Sequence, residues 1–164
     1  YIIIRLDDKT LIQGNEVNLK YAMKTTFEKE ISSSLKPKTI DDYAKIISLA
    51  HGTHVWKKNQ EELFKQGKIN IHNIISNRED IYEYLINHSI EHDVAIEIVK
   101  QLSKSRINRS NELWQKYLNI MKEHNCDDMF INILSKMLYI FGRGQAISEC
   151  LFALDEVNYY SLED

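Results

Sequence analysis

Apolar residues recur three and four positions apart over most of the chain, which predicts a helix after each polar interruption. Asn15 or Asn18 is placed to cap a first helix that runs to about Leu35, because Pro37 pushes the residue before it out of the helical region. Thr39-x-x-Asp42 is a capping box for the next helix, whose apolar face is Tyr43, Ile46, Ile47 and Ala50 and which Gly52 stops. Val55, Trp56, Leu63 and Phe64 form the inward face of a further helix ending at Gly67, and Ser76-x-x-Glu79 caps one carrying Ile81, Leu85 and Ile86. The cleanest stripe is Val94, Ala95, Ile98, Val99 and Leu102. Ser110 caps Leu113, Trp114, Tyr117, Leu118 and Met121. Asp127 and Asp128 open a strongly apolar helix through Met129, Phe130, Ile133, Leu134, Met137, Leu138 and Phe141, where acidic side chains suit the positive end of the dipole. "GRG" interrupts, and a last helix runs on Ile147, Leu151 and Leu154.

The start of the chain breaks this rhythm. "YIIIRL" and "TLIQG" flank Asp7-Asp8-Lys9 and predict two short strands with a tight turn. The expected organisation is a β-hairpin appendage over residues 1–14 and one helical domain over residues 15–164. With one proline, five glycines and no internal repeat, that domain is all-α: about eight short helices in an irregular packing, not an up-down bundle.

Composition narrows the class. A chain of 164 residues builds one domain with a true core. It holds no apolar run long enough for a membrane span and no signal-peptide pattern at its start. Cys126 and Cys150 stand far apart, which fits a reducing, cytoplasmic setting better than a disulfide framework. A net charge of −3 rules out a polycation, yet Lys100, Lys104, Arg106 and Arg109 form a basic strip free of acids, while only acids occur from Glu149 onward. The first residue is Tyr1, so a fragment and a separately encoded module are both open.

Two glycine-bearing stretches are placed to hold an anion. In "HGTHVW", His51, Gly52 and Thr53 combine donor side chains with close backbone approach at an expected helix entrance. In "FGRGQA", Arg143 sits between two glycines at another. Ordinary helix stops and caps explain the same letters. The pairs His51/His54 and His88/His92 have metal-compatible spacing but no further ligands to complete a shell. Asp7-Asp8 and Asp41-Asp42 read as solvated turn and helix-start acids. No P-loop, His-Glu-x-x-His or Gly-x-Ser-x-Gly motif occurs.

Taken in order, these stretches resemble the fingers region of the PolC-type bacterial DNA polymerase III alpha subunit. The family's Ser-His-Gly-Thr-Asp-Val-Trp corresponds to residues 50–56, with Ala50 and His54 as departures. Its Arg-Asp-Asp-Ile corresponds to Arg78, Glu79, Asp80 and Ile81, followed by Tyr84, Leu85 and Ile86. Its Phe-Pro-Lys-Ala-His-Ala corresponds to residues 141–146, keeping a cation at Arg143 but placing Gln145 where the family has histidine. Ser148 and Glu149 replace small apolar residues.

The resemblance implies a helical fingers domain that closes on an incoming deoxynucleoside triphosphate (dNTP) and template DNA. Lys45, His51, Thr53 and Arg143 would face the nucleotide phosphates, with Lys104, Arg106 and Arg109 as an accessory DNA-binding strip. It implies no catalytic residue and no cofactor in this chain, since Mg would belong to a palm domain outside it. The palm of a polymerase is then a partner. The competing expectation is a free-standing, catalytically inactive helical module, derived from such fingers, that binds a replisome protein.

Overall fold

The computed structural model describes residues 19, 20, 23–103 and 111–160. Among these, the architecture is all-α, with eight α-helices: α1 Thr26–Leu35, α2 Ile40–His51, α3 Glu61–Lys65, α4 Arg78–Asn87, α5 His92–Ser103, α6 Glu112–Glu123, α7 Asp128–Lys136 and α8 Arg143–Tyr160. The hairpin expected over residues 1–14, and the strip residues Lys104, Arg106 and Arg109, lie outside the described residues. No helix among the described residues is long and apolar enough to cross a membrane.

Local side-chain chemistry sets most helix starts. Contrary to a start at Asn15 or Asn18, Met23 and Lys24 are not helical, and α1 opens at Thr25. The Thr25 hydroxyl accepts the Glu28 N–H at 3.1 Å, and the Glu28 carboxylate accepts the N–H groups of Thr25 and Lys24 at 3.1 and 2.8 Å. Lys36 then turns left-handed (φ 51°) and ends the helix just before Pro37. The box Thr39–Asp42 opens α2 as expected. The box opening α4 is Asn77–Asp80, one residue later than Ser76–Glu79. Asp80 accepts from the Ser76 N–H, the Ser76 hydroxyl and the Asn77 N–H, outbidding Glu79 and leaving that side chain free to act elsewhere. Asn111, next to the expected Ser110, caps α6.

The centre of the molecule is α2, which buries Ile40, Tyr43, Ala44, Ile46, Ile47 and Leu49 and so faces neighbours on nearly every side. It packs chiefly along α8, and α1 also packs against it. The buried face of α8 is Ala146, Cys150, Ala153 and Leu154, a run at i, i+4, i+7 and i+8 whose small side chains allow close approach. Truncating a fully buried residue such as Leu49 to alanine in this layer costs about 2–5 kcal/mol.

The largest departure from the expected helices follows α7. That helix stops at Lys136 instead of running through Phe141, and the chain continues without helix as far as Gly142. The reason is tertiary. Tyr139 pairs with Thr53 in an antiparallel bridge, and Phe141 pairs with Asn77 in a parallel one. Within the same few residues Met137, Ile140 and Phe141 are buried, whereas Leu138 and Tyr139 face outward.

Candidate functional site

The stretch after α2 is a folded loop, not a helix entrance. Gly52 ends α2 with ordinary extended backbone (φ −74°), so left-handed freedom is not why glycine stands there. Space is the reason: a Cβ would lie 2.6 Å from Val55 Cγ2 and 3.1 Å from the Tyr139 carbonyl oxygen. Thr53 does not cap a helix. Its N–H donates to the Tyr139 oxygen at 2.9 Å, and its own carbonyl accepts from Leu138 and Tyr139. His54 (φ 55°) is left-handed, and residues 56–60 follow as a wide, irregular turn in which Lys58 (φ 61°) is left-handed too.

Two buried amides, which sequence reasoning passed over, hold this loop. Asn59 donates to the carbonyls of His54 (2.8 Å) and Ile133 (2.9 Å). Gln60 donates to Val55 and Ile75 and accepts the Ile75 N–H at 2.9 Å. Each amide therefore ties the loop to a distant element and satisfies carbonyls that would otherwise be buried unpaired.

The non-helical segment 137–142 brings the two glycine-bearing stretches together. The His51 ring stacks on Phe141, with centroids 5.0 Å apart and planes at 22°. Two residues on, Arg143 opens α8, as the "GRG" reading expected. The Arg143 N–H donates to Glu79 at 2.8 Å. Its guanidinium grips Glu83 with two nitrogens, at 2.6 and 3.0 Å, and reaches Asp80 at 2.8 Å. The bond to Glu83 leads in holding its proton well above the ordinary arginine range, partial burial opposes this, and Asp80 adds to it. Arg78 completes the junction by donating its N–H to Phe141 and its Nε to Ile140, at 3.0 and 2.9 Å.

His51 is also lined by carboxylates: its Nε2 lies 3.4 Å from Glu28 and 3.7 Å from Glu149. Glu28, Glu149 and Gln145 share the wall of a shallow groove of about 370 Å³ beside it. Thus His51, Thr53 and Arg143 meet around one short segment, and acids answer the two basic side chains. Lys45 turns elsewhere, donating to the Ile71 carbonyl at 2.9 Å with Asp41 at 3.8 Å. The acid partners went unnoticed in the sequence, although Glu79, Asp80 and Glu83 at i, i+1 and i+4 marked one end of α4 as a seat for a cation.

Of the other histidine and carboxylate candidates, His88, His92 and Asp42 have local partners. His88 Nδ1 bonds the Tyr84 carbonyl and its ring stacks on Tyr84, while His92 Nδ1 meets the Tyr82 hydroxyl at 2.6 Å. Asp42 belongs to its capping box. Among the described residues no group of three His, Cys, Asp or Glu side chains is arranged to hold a metal ion.

Comparison with known proteins gives this geometry a context. Residues 9–125 match the model of the bacterial DNA polymerase III alpha subunit finger domain. The PolC-type DNA polymerase III of Lactococcus lactis subsp. lactis is 33% identical over 128 residues, covering 77% of this chain and 8% of that protein. That of Streptococcus mutans is 30% identical over 139 residues, covering 84% and 9%. The protein of the same description from Caldanaerobacter subterraneus is 27% identical over 129 residues, covering 79% and 9%. The chain thus spans less than a tenth of the length of these relatives.

Proposed function

The chain belongs to the finger-domain family of the bacterial DNA polymerase III alpha subunit, PolC type, and on that premise we propose that the His51–Arg143 junction receives the phosphates of an incoming dNTP. The observation that carries this reading is the stack of His51 on Phe141, two residues before Arg143. It brings an imidazole and a guanidinium to one short segment, both part-exposed.

The chemistry is an exchange of anions. Glu28 and Glu149 beside His51, and Glu79 at the first N–H of α8, occupy positions that phosphate oxygens would take. A triphosphate displaces these carboxylates. Thr53 contributes its hydroxyl, because its N–H is already committed to Tyr139. Lys45 joins only by leaving Ile71. Lys104, Arg106 and Arg109 act as a sequence-independent contact to template phosphates. In this reading the chain positions and neutralises. Two-metal phosphoryl transfer draws its carboxylates and Mg from a palm outside these residues.

One observation favours the competing role, a catalytically inactive module that binds a replisome protein: the Arg143 guanidinium is already satisfied by Glu83 and Asp80. A titration separates the two. Histidine NMR signals are followed as dNTP is added to the chain, its His51→Ala and its Arg143→Lys variants. Saturable shifts at His51 that weaken in Arg143→Lys support the nucleotide role. An unmoved His51 signal, with no difference between variants, rejects it.

A further inference from the structure

Alongside α1 lies an open groove of about 620 Å³ whose lining includes Lys20, Lys29, Ser32, Ser33, Lys36 and Tyr43. Four of these, Lys29, Ser32, Ser33 and Lys36, fall at i, i+3, i+4 and i+7 and so share one side of the helix. No carboxylate lines the groove among the described residues.

Lys29 and Lys36 are unanswered among the described residues because the acids of α1 are spent elsewhere. Glu28 is buried, accepts the Lys24 and Thr25 N–H groups and faces His51. Glu30 takes Lys57 at 2.6 Å. Lys29 and Lys36 consequently have no ion pair among the described residues, and both are exposed. Seven residues separate them, about 10 Å along the helix axis. Cations spread over that distance along an open groove do not converge on one small anion. They match the repeated charge of a strand, whose phosphates advance about 3.4 Å each along a duplex.

From this we propose that the α1 groove is a second nucleic-acid contact, binding the sugar-phosphate backbone of a DNA strand through Lys29 and Lys36 without reading its sequence. It uses none of the residues of the His51–Arg143 junction, and it rests on the reading that DNA is the chain's partner. Ser32 adds a hydroxyl. Ser33 spends its proton on the Lys29 carbonyl at 2.9 Å and serves only as an acceptor.

The test is fluorescence anisotropy of labelled oligothymidine against salt, with the double variant Lys29→Ala/Lys36→Asn. Asparagine is chosen at position 36 because it tolerates the left-handed backbone there. Loss of two phosphate contacts lowers the slope of log affinity against log salt by about 1.4. Lys116→Ala/Lys122→Ala on α6 is the control for net charge alone. An unchanged slope, an equal loss in the control, or absence of DNA binding by the parent chain overturns the proposal. If His51 ignores dNTP while the groove variant still loses its slope, the groove stands and only the nucleotide reading falls.

Discussion

Glu79 accepts the backbone N–H of Arg143 at 2.8 Å, so a carboxylate from α4 sits on the first N–H of α8. That bond joins a negative side chain to the positive end of a helix dipole. Replacing Glu79 with glutamine weakens the joint by about 1 kcal/mol, read as a lower urea midpoint. In the proposed exchange the same change removes a competitor, so dNTP binds about 2- to 5-fold more tightly. The two effects have opposite signs. A variant that loses both stability and affinity identifies Glu79 as a support for the site, not a rival to the ligand.

Asn59→Ala leaves the carbonyls of His54 and Ile133 without their buried donor. The expected cost is about 2–3 kcal/mol in urea unfolding, with an unchanged denaturant slope. A variant of parental stability would show that solvent reaches those carbonyls.

Ser48 shows the reverse case. Its hydroxyl oxygen is fully buried on α2 and makes no hydrogen bond among the described residues. Ser48→Ala removes an unsatisfied polar atom with little change of volume, and stability rises by about 1 kcal/mol. For a chain of this size that is roughly 2–4 °C in Tm by calorimetry. A fall in Tm would reveal a partner for the hydroxyl.

Both cysteines are free and buried. Burial foremost, helped by nearby acids, pushes the Cys126 thiol up to about 11 and the Cys150 thiol up to about 12, against an ordinary value of 9.0. The folded state therefore keeps these protons to higher pH than the unfolded chain. The associated stability is complete below about pH 9 and drains away as pH climbs through about 11 and 12. Thiol labelling of the native protein at pH 8 is correspondingly slow, and urea accelerates it at both sites. Rapid native labelling at Cys150 would contradict its burial.

How far the sequence could be read depended on the range of the interaction. The Thr39–Asp42 box and the Ala95, Ile98 and Leu102 face of α5 rest on neighbours within two turns, and both stand where the pattern puts them. Ser76-x-x-Glu79 and Asn77-x-x-Asp80 satisfy one local rule equally well. The choice between them involves Arg143, some sixty residues away, which engages both Glu79 and Asp80. Met137, Leu138 and Phe141 continue the helical spacing of α7, but bonds to Thr53 and Arg78 take that stretch out of the helix. The meeting of His51 with the "FGRGQA" stretch was expected from the resemblance, not from periodicity. The carboxylates that flank both basic side chains are set by the fold and left no spacing signature linking them to His51.

The bridges at Thr53 and Asn77 engage Tyr139 and Phe141, positions only two residues apart. Those three consecutive residues act as a ruler fixing the distance between two loops that the chain itself connects by a far longer path. One residue of extended backbone measures about 3.3 Å, so inserting a single amino acid between Tyr139 and Phe141 unseats one loop or the other.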